Sequence, residues 1–135
     1  MEEWIERKLR EDDYTLEQKK ELVYTVEKYD LPKDQLELLL DPRFDAKQIG
    51  EIRAGMLESS LNFEQVELYS RPEIDWYVMW ELRKCLLNGM DDSLVRDMID
   101  CHLNETQIKE IFAGFKNGVS IESLKKFVSE EKGMA

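Results

Sequence analysis

Thr15–Phe44 reads TLEQKKELVYTVEKYDLPKDQLELLLDPRF, and the next thirty residues, Asp45–Ile74, read DAKQIGEIRAGMLESSLNFEQVELYSRPEI. Laid one over the other, Gln18, Glu21, Leu31, Gln35, Glu37, Leu38 and Pro42 recur as Gln48, Glu51, Leu61, Gln65, Glu67, Leu68 and Pro72. Seven identities at a single offset mark an internal repeat, and a repeat of this length points to a supersecondary unit that stacks on copies of itself. A third unit begins at Asp75, thirty residues after Asp45, and a fourth at Asn104, twenty-nine further on.

The apolar positions say which supersecondary unit it is. Ile49, Ile52 and Met56 become Met79, Leu82 and Leu86, then Ile108, Ile111 and Phe115. A spacing of i, i+3, i+7 lines one face of a helix, the first (helix A) of each unit. Val66 and Tyr69 correspond to Val95 and Met98 and then to Leu124 and Phe127, marking a second helix (helix B).

Punctuation agrees with period. Thr15-x-x-Gln18, Asp45-x-x-Gln48 and Asn104-x-x-Gln107 are capping boxes opening helix A, while Asp75 keeps the cap but has Val78 in place of Gln. Asn88-Gly89 and Asn117-Gly118 supply the left-handed residue that ends a helix, and Asn62-x-x-Gln65 and Ser120 cap the helix that follows. Asp41-Pro42 and Arg71-Pro72 break helix B before the next unit.

The expected fold is all-α: about eight short helices in four tandem pairs, with a further helix over Glu2–Arg10. Short helix pairs cannot bury an apolar face alone, so neighbours share a core, either as a small right-handed solenoid or as a compact bundle. The expected organisation is a single domain over 1–135, with an N-terminal segment 1–14, a cap-like repeat 15–44, and repeats 45–74, 75–103 and 104–132.

Bulk composition excludes several classes. The chain is 42% hydrophobic and 36% charged, which favours a packed core over disorder. No apolar run approaches the roughly 18 residues that span a bilayer. Met1-Glu2-Glu3-Trp4 lacks the basic and apolar segments of a secretory signal, so the cytosol is the expected compartment, with Cys85 and Cys101 as reduced thiols. Thirty acidic against nineteen basic side chains, a formal charge of −11, oppose direct binding to nucleic acid and favour a protein partner with a basic surface. A homo-oligomer stays open.

The units also carry a likeness. Phe44-Asp45-x-x-Gln48-Ile49-x-Glu51-Ile52-Arg53-x-Gly55-Met56, then Leu61 and Tyr69-x-x-Pro72-Glu73, resembles two-helix repeat arrays in uncharacterised proteins of gut Firmicutes and their mobile elements. The resemblance spans residues 15 to 132 and implies an all-helical repeat fold and a bacterial or phage-related origin. It implies no activity or site. Unit one departs from the pattern, with Lys19 where Ile49 stands and Thr25 in place of Gly55.

Chemistry-bearing constellations are sparse. One histidine, His102, follows Cys101 near Asp97 and Asp100 in no standard zinc spacing, and no cofactor or metal is expected. Cys85 takes the place of Gly55 and Gly114, where a neighbouring helix calls for a small residue. Asp91, Asp92, Asp97 and Asp100 are candidates for an acidic surface; a line of carboxylates imitates the charge of a nucleic acid. The sharpest departure is Trp76, Tyr77 and Trp80 at the head of unit three. The two tryptophans stand where other units have Ala46 and Glu105, and Gly50 and Lys109, which are not core positions. With Arg83 on the same side they are candidates for partner binding, being residue types that dominate interface energetics, with packing on a neighbouring helix the alternative. The expected function is a non-enzymatic module that binds another protein. The alternative is an acidic inhibitor blocking the nucleic-acid groove of a defence enzyme, of the anti-CRISPR or anti-restriction kind.

Overall fold

Four helices are opened by one exchange of hydrogen bonds. Thr15, Asp45, Asn62 and Asn104 each accept from the backbone N–H three residues on, and the glutamine there returns its side-chain oxygen to the cap's own N–H. These closed boxes satisfy two orphan donors apiece and set the phase of α2 (Leu16–Lys28), α4 (Ala46–Met56), α5 (Phe63–Tyr69) and α8 (Glu105–Lys116). The remaining helices are α1 (Glu3–Glu11), α3 (Lys33–Leu39), α6 (Trp76–Leu87), α7 (Asp92–Asp100) and α9 (Ile121–Met134). This computed structural model describes residues 1–134, with side chains as far as Glu131; Ala135, the last residue of the expected domain, lies outside them. Among the described residues the fold is all-α, with nine helices and no strand.

Helix ends follow local chemistry. Gly89 and Gly118, each at φ 83°, take the left-handed conformation after α6 and α8, and His102 does the same after α7 at φ 55°. Helices α3 and α5 stop at Leu39 and Tyr69, ahead of Pro42 and Pro72. The N-terminal helix runs Glu3–Glu11 and buries Ile5 and Leu9 from one face.

Two compact units divide the chain, Met1–Trp76 and Tyr77–Ala135. In the first, α4 lies against α2, α3 and α5, over a core that includes Leu22, Leu39, Phe44, Ile49 and Ile52. A polar weld joins α4 to α2. Arg53 Nη1 donates to Glu21 Oε2 at 2.6 Å and to Thr25 Oγ1 at 3.0 Å, while the buried Thr25 hydroxyl donates to the Glu21 carbonyl at 2.7 Å. In the second unit α9 packs on α7 and α8, and Met79, Leu82, Leu94, Met98 and Ile108 are fully buried.

The glutamines of the first unit do more than cap. Gln18 Nε2 donates to the carbonyls of Pro42 (2.9 Å) and Phe44 (2.6 Å), and Gln48 Nε2 donates to those of Pro72 (3.0 Å) and Ile74 (2.7 Å). The same pair of bonds recurs thirty residues on, each fastening the start of a helix to the turn that closes the following one. Gln107 keeps the box, but its Nε2 donates to the Glu131 carboxylate at 2.7 Å, because α9 runs on without a proline turn.

One glycine in this frame is dictated by packing. A Cβ on Gly55 of α4 would overlap the Tyr69 hydroxyl and lie 3.2 Å from Tyr69 Cζ, and Tyr69 on α5 is fully buried. Gly55→Ala is therefore expected to destabilise the protein by roughly 1–3 kcal/mol, through overpacking. Adding Tyr69→Phe removes the overlapping oxygen and should recover part of that loss in chemical denaturation. Wild-type stability of the single variant would contradict the close approach.

Candidate functional site

Within the second unit, the side chains with most to say about function surround Trp80 on α6. Its indole is 43% exposed, and the Lys84 ammonium, one turn on, lies 4.7 Å from the ring centroid. That ammonium is also 5.1 Å from the Phe112 ring of α8 and 2.9 Å from Oε2 of Glu81. Glu81 is fully buried, and among the described residues neither carboxylate oxygen has an aligned hydrogen-bond donor, so the compensation they supply is Coulombic. The second cation is Lys109, 4.0 Å from Oε1, which also pairs with Glu105 at 2.9 Å. Glu105 first, and Glu81 after it, hold the Lys109 ammonium above its ordinary value.

The repeat register explains why Glu81 is served this way. Glu21, Glu51, Glu81 and Glu110 share one position on successive helices A, and on α2 that position pairs with Arg53 of α4. The residue of α8 in the place of Arg53 is Phe112. The arginine partner is thus replaced by a ring, and Lys84, standing where Tyr24 and Ala54 stand, brings the missing charge from Glu81's own helix. Lys84 thereby lies between the carboxylate and the two rings, with its ammonium against the indole.

The other candidates fall as follows. Trp76, 38% exposed, belongs to the first unit, where the Lys47 ammonium lies 5.2 Å from its ring centroid. Tyr77, the first residue of the second unit, is 39% exposed, and Arg83 is partly buried. The four aspartates all lie on α7 or at its N-cap. Asp91 caps α7, accepting from the N–H and the hydroxyl of Ser93, and those bonds, the hydroxyl's first, hold its carboxyl below the usual range. Asp92 opens α7 and Asp100 closes it, about 12 Å apart at helical rise. Asp97 lies 4.0 Å from the Lys125 ammonium of α9. Among the described residues, no group of three or more His, Cys, Asp or Glu is placed to hold a metal ion.

Glu81, Lys84 and Phe112 carry no motif, and a Glu and a Lys three apart on a helix read as an exposed pair. The available signal was the repeated glutamate meeting a phenylalanine where an earlier unit offers arginine. Compared with known proteins, the chain matches no family, no curated protein and no solved structure.

Cys85, on the same helix, is fully buried, and its thiol is pushed up to about 12, by desolvation first and by Glu81 second. A thiol so raised stays protonated across the physiological range and is unreactive, whereas Cys101 is partly exposed. Ellman's reagent at pH 8 is expected to titrate Cys101 in the native protein and to reach Cys85 only on unfolding. Equal rates for both thiols would contradict the burial.

Proposed function

We propose that the chain is a non-enzymatic helical-repeat module that binds another protein, with Trp80 as an anchor. On this reading the chain is a stacked array of helix pairs of the kind it resembles in Firmicutes and their mobile elements. Capping boxes on α2, α4 and α8 and the twin glutamine bonds of α2 and α4 support the array reading.

One observation carries the binding role. Trp80 is a large aromatic left nearly half open to solvent, with the ammonium of Lys84 against its ring, and Lys84 is itself tied to a buried carboxylate. Tryptophan is among the residue types enriched at the energetic centre of interfaces, and a cation already against its ring lowers the number of rotamers to be fixed on docking. The excess of carboxylates makes a basic surface the fitting partner.

A photo-crosslinking residue in place of Trp80, expressed in the source cell, tests this. A discrete protein adduct is expected, with Trp80→Ala lowering affinity for that protein by about tenfold or more. No adduct above that of the same crosslinker at exposed Glu3 would overturn the reading. An acidic inhibitor, favoured by the charge of −11, is recognised by another outcome: affinity that collapses between low and physiological salt and is indifferent to Trp80→Ala.

A further inference from the structure

The α8–α9 pair carries an open groove of about 220 Å³, floored by Gly114, Val119 and Phe127 and edged by Glu110 and Glu131. Phe127 is 51% exposed there. Its counterpart on α3 is Leu39, which is 0% exposed, and α4 lies against both α2 and α3 in that unit. The first unit therefore shows what this groove takes when filled: an amphipathic helix.

Its chemistry can be read from α4. Ile49, Ile52 and Met56 form the apolar stripe, and Arg53 reaches Glu21 Oε2 at 2.6 Å. Glu110 is the register counterpart of Glu21, is exposed, and among the described residues has no ion-pair partner. Glu131 adds a second carboxylate on the facing helix, bonded to Gln107. A floor of apolar side chains between two carboxylates is complementary to a helix that presents apolar residues at i, i+3 and i+7 and a cation at i+4.

We propose that the α8–α9 groove is a docking site for an arginine-bearing amphipathic helix of a partner protein, seated as α4 is seated on α2 and α3, with its arginine on Glu110. This rests on the interaction-module reading and adds to it a second surface, with the pattern of the segment it accepts. Gly114, in the place of Thr25, leaves the floor without the hydroxyl that also receives Arg53, so Glu110 carries the recognition.

The probe is a fluorescent peptide of residues 44–57, FDAKQIGEIRAGML, with a lactam between Lys47 and Glu51 to hold it helical, titrated with the full chain by anisotropy. Saturable binding is expected, weakened about tenfold or more by Phe127→Ala or Glu110→Lys. A peptide with Arg53→Glu should fail on the wild-type chain and regain binding on Glu110→Lys. Absence of saturable binding, or binding indifferent to both protein variants, overturns the proposal. So does concentration-dependent self-association abolished by Phe127→Ala, which would make a second copy the occupant. If proteins captured through Trp80 bind Phe127→Ala and Glu110→Lys chains as tightly as wild type and the peptide also fails, the groove is refuted while the module reading stands.

Discussion

A side-chain amide three residues into a helix holds the first unit together. Gln18 and Gln48 each use their oxygen to close a capping box and their nitrogen to receive two carbonyls from a turn 24 and 26 residues on. Both jobs concern backbone groups that secondary structure leaves unpaired: the first N–H groups of a helix, and the carbonyls of a turn that proline has broken. Because one planar amide performs both, the start of a helix pair and the end of that same pair are fixed by the same rotamer. Burial of the amides keeps water from competing for these bonds.

Where the pattern is altered, the neighbouring chemistry is altered with it. On α8 the cap glutamine faces a helix that continues, and its nitrogen turns to a carboxylate side chain, leaving the α8–α9 face open. On α6 a glutamate inherited from the repeat register is buried opposite Phe112 in place of an arginine, and two lysines supply the charge. Burying an ion pair is an expensive way to hold a helix, since each ion gives up its hydration. Here the same lysine also lies against the ring of Trp80 at the surface. Lys84 thus contacts both the exposed aromatic and the buried acid.

Much of the architecture was legible in the amino-acid sequence because it rests on contacts within four residues. Capping boxes, glycine and asparagine ends, proline stops and i, i+3 apolar spacing are all local, and the starts of α2, α4, α5, α8 and α9 and the ends of α3, α5, α6 and α8 stand where those signals do. The small-residue position at Gly55 and Cys85 was legible for the same reason, as a recurring exception to bulk on the buried face. What stayed hidden depends on contacts far apart in the chain. Nothing in Gln18 or Gln48 announces that the nitrogen of a capping residue will reach a turn two dozen residues away. Glu81 looks like any solvent-facing glutamate until α8 covers it. Asp91, Asp92, Asp97 and Asp100 read alike as acidic residues; that Asp91 caps α7 and that Asp97 meets Lys125 of α9 was not legible. Trp80 was legible as foreign to the repeat core, but its lysine brace was not.

The central claim, that one amide serves cap and turn together, is tested most directly by Gln48→Glu. Glutamate preserves the oxygen that accepts from Asp45 and replaces the nitrogen with a second oxygen facing the Pro72 and Ile74 carbonyls. Urea unfolding of this variant at pH 7 should show a loss of about 2–4 kcal/mol, the scale of two broken bonds and a desolvated charge with no donor. A variant within about 0.5 kcal/mol of wild type, the range of an ordinary surface substitution, would contradict the account.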